Sequence, residues 1–167
     1  MRGHAGLGEA DPLTAAPRLM FVRGPAWDRG EADMQRAIED LARGLGDVVQ
    51  EAELPPVFDA ALACHGMVMN GSGLDPITAD RIERGLTVTS REYLDALYQA
   101  EAMQDALAGV FDGVDAILTP AAPGQAPRDL SRTGDASFNG YWTLMGAPAA
   151  SLPLLKGADG MPIGVQV

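Results

Sequence analysis

Arg18-Leu19-Met20-Phe21-Val22-Arg23 is a short apolar run between charged ends, closed by Gly24-Pro25. A run of that length, stopped by a turn pair, reads as a buried strand. Asp28-Arg29-Gly30-Glu31 then opens a helix with an apolar stripe of Met34, Ile38, Leu41 and Leu45, and Gly44 and Gly46 mark its end. Residues 47–54 alternate Val48, Gln50, Ala52 and Leu54 against polar neighbours, with Val49 the exception, and stop at Pro55-Pro56. That pattern predicts a second strand. Strand, helix and strand with short joins make a βαβ unit, which favours parallel pairing and a right-handed crossover. The fold class follows: α/β, with a mostly parallel sheet flanked by helices.

Before this unit, residues 1–17 carry Gly, Ala, Pro and acidic side chains without periodicity and read as a loose tail. Residues 18–167 then form one partial domain. Val57–Asn70 is expected to be helical, Asn70-Gly71-Ser72-Gly73 to break it, and a short helix to follow from Pro76 to Arg84. Thr89-x-x-Glu92 is a capping box, and Tyr93, Leu97, Ala100, Met103, Leu107 and Val110 run down one face of a long helix behind it. Asp115-Ala116-Ile117-Leu118-Thr119 is a strand halted by Pro120, and residues 121–134, with Pro123, Gly124, Pro127 and Gly134, form a long loop. A short helix over Phe138–Met145 precedes Gly146-Ala147-Pro148. Residues 149–155 and 164–167 form a hairpin pair around 156–161. The last four residues continue a strand pattern without a turn or polar tail, which points to further sequence beyond them.

Composition narrows the chemistry. The chain has 167 residues, 47% hydrophobic and 21% charged, enough for an ordinary core. Twelve Lys and Arg face 23 Asp and Glu, a formal net charge of -11. That field repels phosphate backbones and anionic membranes, so nucleic acid and membrane surfaces are poor partners. No apolar run reaches the roughly 20 residues needed to cross a bilayer, and the first residues lack an apolar signal core. The expectation is a soluble, acidic, cytoplasmic protein. The one cysteine, Cys64, can neither form an internal disulfide nor seed a metal cluster. Lys156, the one lysine, sits in an exposed turn pattern, with neither burial nor a cationic neighbour to lower its pKa.

The remaining constellations read as structure. Cys64 and His65 are adjacent on a predicted helix, where neighbours point about 100° apart, so a buried cysteine beside a half-exposed histidine is the better reading than a dyad. Asn70–Gly73 reads as a helix-ending turn rather than an anion cradle, because no strand-to-helix phosphate motif accompanies it. Asp112, Asp115, Asp129 and Asp135 read as a solvated acidic face. Trp27 and Trp142 lie near element ends, where an indole can pack and still pair its N–H.

Several blocks in the C-terminal third carry a resemblance. Phe111-Asp112-Gly113-Val114-Asp115-Ala116-Ile117-Leu118-Thr119-Pro120 resembles a stretch of the amidase signature family. Thr133-Gly134-Asp135-Ala136-Ser137-Phe138-Asn139 and Trp142-Thr143-Leu144-Met145-Gly146-Ala147-Pro148 are similar to its next blocks. Pro153, then Gly160-Met161-Pro162-Ile163-Gly164-Val165-Gln166, resembles its closing motif. Val22-Arg23-Gly24-Pro25-Ala26-Trp27 fits less specifically, and residues from about 18 to 167 are covered.

The resemblance implies a mixed-sheet α/β protein whose relatives hydrolyse carboxylic amides, or pass on the ammonia released, without metal or organic cofactor. It implies a small carboxamide as substrate. The family's serine nucleophile, second serine and lysine base belong to a Gly/Ser-rich segment and a lysine upstream of it. Ser72, Ser90, Ser131, Ser137 and Ser151 match no nucleophile position, so no catalytic residue carries over. Thr119, Pro120, Phe138, Asn139, Trp142 and Thr143 are the residues placed nearest the substrate cleft, where they either line it or brace the fold. The stretch from His65 to Arg84 is shorter than the family's usual helical run. Two functions remain open: a portion of an amidase, inactive alone, or a non-catalytic binding or assembly module, including one that complements a separate N-terminal half.

Overall fold

The computed structural model describes residues 14–71, 83, 85–129, 131 and 134–167. Most of the expected tail, the Ser72-Gly73 part of the expected break, nearly all of the expected Pro76–Arg84 helix and the part of the shortened stretch beyond Gly71 lie outside the described residues. Five strands form one mixed sheet: β1 (Leu19–Phe21), β2 (Val49–Glu51), β3 (Ala116–Pro120), β4 (Ser151–Lys156) and β5 (Pro162–Gln166). Their order is β2-β1-β3-β5-β4. β1 runs parallel to both β2 and β3, as a βαβ unit requires, and β5 runs antiparallel to β3 and β4. Among the described residues the longer helices are α1 (Ala32–Gly44), α2 (Ala61–Gly71), α3 (Ser90–Val110) and α4 (Ser137–Leu144).

α1 buries Met34, Ile38 and Ala42, one residue per turn on one face. It starts later than the sequence suggests, because Trp27–Arg29 forms a separate 3-10 turn and Gly30 is extended. Gly46 takes φ 58°, a left-handed turn that ends the helix and throws Leu45 out of the stripe, 38% exposed. β2 is only three residues long, because Gly46–Val48 is a 3-10 turn, and its Gln50 and Glu51 are exposed on an edge strand.

α3 starts on the capping box. The Glu92 N–H donates to Thr89 Oγ1 at 3.2 Å, and the Thr89 N–H donates to the Glu92 carboxylate at 2.8 Å. Its buried face is Ala96, Ala100, Met103 and Leu107, with Tyr93 and Leu97 half-buried at its border. Phe21, Met34, Ile38, Phe58, Met103, Phe138, Tyr141 and Ile163 are among the largest fully buried side chains and join the sheet to α1, α3 and α4 in one core.

Pro120 is the last residue of β3 rather than its stop, and it pairs with Val165. The ladder shows why this is tolerated. Ala121 N–H donates to Gly164 O at 3.0 Å on the β5 side, and Leu118 O accepts from Val22 N–H at 3.1 Å on the β1 side. Alternation turns the Pro120 nitrogen toward β1, which has already ended at Phe21, so no ladder donor is lost there. Lys156 likewise ends β4 opposite Pro162, and the turn proper is 157–161, with Gly160 at φ 76°.

Asp115 is more than part of a solvated face. Its carboxylate accepts from Arg18 N–H at 2.7 Å and from the Arg18 guanidinium at 2.8 Å, while Asp115 N–H donates to Arg18 O at 2.8 Å. These bonds tie the start of β1 to the start of β3. The Arg18 hydrogen bonds pull the Asp115 carboxyl down to about 2.

Candidate substrate groove

The Pro- and Gly-rich chain after β3 forms the wall of a groove of about 830 Å³. Residues 121–127 line it, with Glu31 from the entry to α1, Asp135 and Asn139 around the start of α4, and Ser151, Pro153, Pro162 and Gly164 from the hairpin. Prolines at 120, 123 and 127 rule out a helix here and leave the backbone to find other partners. It finds four. Ala121 N–H donates to Gly164 O at 3.0 Å, Ala126 N–H to Pro162 O at 2.8 Å, and Glu31 N–H to Pro123 O at 2.6 Å. The Asn139 side-chain amide donates to Ala121 O at 2.9 Å. Below the loop, Gln125 Nε2 donates to the Asp159 carboxylate at 2.8 Å and Arg128 to Asp159 O at 2.5 Å, joining loop to hairpin turn.

One glycine is required by close approach: a Cβ on Gly164 would lie 2.8 Å from Ser151 Oγ and 2.9 Å from Ala121 Cβ. Asp135 accepts the Ser137 N–H at 2.7 Å and so satisfies one free donor at the start of α4. Among the lining residues Glu31 and Asp135 carry negative charge, and no Lys, Arg or His is present. Ser151 is a hydroxyl with no Lys or His among the described lining residues, and no hydrogen bond joins it to the Glu31 or Asp135 carboxylate. Such a surface can bind and orient a neutral or cationic group, and it lacks the nucleophile–base contact that attack requires.

The six residues expected near the cleft separate into four environments. Asn139 lines the groove. Thr119 and Trp142 line a different cavity, about 370 Å³. Pro120 and Phe138 are buried. Thr143 is exposed and donates its hydroxyl to Asn139 O at 3.1 Å, one turn back on α4. Glu31, Ser151 and the 121–127 backbone were not singled out by sequence as site residues. The loop's Pro/Gly density was the available signal; Glu31 had none, since it arrives from another element.

The Cys64 thiol is buried and donates to Ala96 O at 2.7 Å, and burial pushes its pKa up, the opposite of an activated thiolate. His65 packs against α4, where a Cβ on Gly140 would lie 2.5 Å from its ring. Trp142 packs on Tyr141, with ring centroids 4.9 Å apart, and its indole N–H faces the Tyr141 hydroxyl. Among those residues no group of three or more His, Cys, Asp or Glu is placed to hold a metal, and no helix is long and apolar enough to cross a membrane.

Comparison with known proteins places this geometry. The family model described as Amidase matches residues 58–167. A glutamyl-tRNA(Gln) amidotransferase subunit of Sulfurimonas denitrificans is 35% identical over 98 residues, 52% of this chain and 22% of that protein. The same-named protein of Rhizorhabdus wittichii is 31% identical over 160 residues, 88% of this chain and 30% of that protein. Among solved structures, an amidase crystal structure superposes with a TM-score of 0.74 at 24% identity, covering 91% of this chain and 41% of the other. The Thermotoga maritima glutamyl-tRNA(Gln) amidotransferase subunit gives 0.67 at 20% identity, over 91% and 38%. The chain thus spans well under half the length of the relatives it matches.

Proposed function

The chain belongs to the amidase family, and on that premise we propose that it forms one wall of a carboxamide hydrolase's substrate cleft and does not turn over amides by itself. The observation that carries this is the groove: a braced, hydrogen-bonded wall whose described lining has one serine hydroxyl and two carboxylates, no Lys or His, and no hydrogen bond between the hydroxyl and either carboxylate. Loss of nucleophile and base removes most of the rate acceleration an enzyme supplies, while binding survives. Thr119, Pro120, Phe138, Trp142 and Thr143 act in this reading by holding α4 and β3 in place, and Asn139 acts on the groove directly. The substrate class is a small carboxamide, neutral or cationic, since Glu31 and Asp135 disfavour an anion.

A second reading, an assembly module that complements a separate N-terminal half, has its own observation. β4 is an edge strand whose Leu152 and Leu154 are 41% and 57% exposed, an apolar edge of the kind that pairs with another strand. The test of both is mixing. A second chain carrying the family's Gly/Ser-rich segment and upstream lysine should form a 1:1 complex with this one and hydrolyse simple amides only in the mixture. A complex without turnover would leave assembly alone standing, and neither complex nor turnover would overturn both.

A further inference from the structure

Residues 121–128 are attached to the rest of the molecule in two unequal halves. The near half is pinned to the domain. Ala121, itself buried, donates its N–H to Gly164 O at 3.0 Å and accepts the Asn139 amide at 2.9 Å, and Pro123 O accepts the Glu31 N–H at 2.6 Å. Among the described residues, every hydrogen bond of the far half goes to the β4–β5 hairpin. Ala126 N–H donates to Pro162 O at 2.8 Å, Gln125 Nε2 to the Asp159 carboxylate at 2.8 Å and Arg128 to Asp159 O at 2.5 Å, the last two at exposed positions.

Rotation between the halves is confined to a short joint. Pro123 and Pro127 fix their own φ, and Ala126 is restricted by the proline after it, which leaves Gly124 and Gln125 to carry any turn of the chain. The far half is also incompletely satisfied where it lies. Gln125 Oε1 is buried without a hydrogen-bond partner among the described residues, and a Cβ on Gly157 would come within 2.5 Å of it. A buried acceptor left unpaired weighs against the seated position, and lifting the segment returns that atom to water. Two of the three bonds opposing this are exposed, where water competes for the same groups, so the far half is held by a small margin. Gln125, Ala126 and Pro127 line the groove, and lifting them takes away one side of it.

We propose that residues 125–128 form a latched flap on the groove. Asp159, in the hairpin turn, holds the flap shut through its carboxylate and its main-chain oxygen. The flap opens by local release from the hairpin, turning at Gly124 and Gln125, while residues 121–123 stay in place. The proposal rests on the fold alone and is independent of what the groove binds.

Amide hydrogen exchange of the full chain, followed by NMR, tests it. The Ala126 amide reports the latch, the Ala121 amide reports the pinned half, and the Gly157 amide, bonded to Met161 O, reports the hairpin turn. In the unaltered chain Ala126 should be at least about tenfold less protected than Ala121, and its exchange should not respond to low urea, the mark of a local opening that exposes little surface. Arg128→Ala should raise Ala126 exchange about three- to tenfold, the factor for one lost hydrogen bond, and leave Ala121, Gly157 and the urea midpoint unchanged. Asp159→Ala should do the same by freeing Gln125. If Asp159→Ala also speeds Gly157, the turn itself has been disturbed, and Arg128→Ala, which leaves the turn intact, carries the test. Equal protection of Ala121 and Ala126, or a common rise of both in the variants, would mean that the loop opens only with the domain and would overturn the proposal. Unchanged Ala126 exchange in both variants would overturn it as well, because Asp159 would then hold nothing shut.

Discussion

Asn139→Ala isolates the one side-chain bond that holds the groove wall to α4. The donor, Asn139 Nδ2, lies 2.9 Å from Ala121 O, and Ala121 is 7% exposed, so water has little room to replace it. Losing one net hydrogen bond costs about 0.5–1.5 kcal/mol, and a buried carbonyl left short of a partner costs about 1–3 kcal/mol. The neighbouring Ala121 N–H keeps its bond to Gly164 O, so the backbone stays where it is and the lower part of that range applies. Alanine is also the better helix former, which returns up to about 0.7 kcal/mol. The net expectation is a loss of about 1 kcal/mol, or roughly 2–4 °C in Tm for a chain of this size. Urea unfolding followed by far-UV circular dichroism measures it, with the m-value unchanged. Asn139→Asp, which keeps the shape but removes the donor, should lose at least as much. Both variants within about 0.3 kcal/mol of the parent would mean that the amide does not brace the loop.

Three further outcomes follow from the same structure. Thr89→Ala removes the hydroxyl that accepts the Glu92 N–H, while the backbone N–H at 89 can still donate to the Glu92 carboxylate; it should cost about 1 kcal/mol in the same unfolding assay, with amide exchange rising first in the opening turn of α3. Phe138→Ala empties a fully buried site and should cost about 3–5 kcal/mol, a large share of an ordinary domain's stability, read in the same unfolding assay. Asp115 has its folded-state pKa lowered to about 2, so its contribution is complete above the ordinary carboxylate range and disappears as pH falls toward that value. Asp115→Asn should therefore flatten the acid limb of the stability–pH curve below about pH 4 and lower stability at neutral pH, read by denaturant unfolding at stepped pH.

The parts of the fold legible in the sequence were those set by local rules. Thr89 and Glu92 capped a helix as their spacing required, Met34 and Ile38 marked a buried face, and the strand–helix–strand order paired in parallel. Local rules failed where a neighbour decided the outcome. Pro120 remains in its strand because β1 ends before it would need a donor, a fact about β1 and not about Pro120. Leu45 leaves its stripe because one glycine adopts positive φ. The site was less legible than the fold. Thr119 and Asn139 stand near one another in motif order, yet they line separate cavities because one sits on the sheet and the other on α4. Glu31 reaches the groove from about ninety residues upstream of the loop it touches, and no spacing rule links the two.

The proposed function requires this chain to bind a carboxamide without cleaving it. Purified chain, assayed with simple aliphatic and aromatic amides and monitored for released ammonia, should give no turnover above buffer at any enzyme concentration. Hydrolysis that saturates with substrate, scales with enzyme and vanishes in Ser151→Ala would contradict it, placing a working nucleophile in the groove.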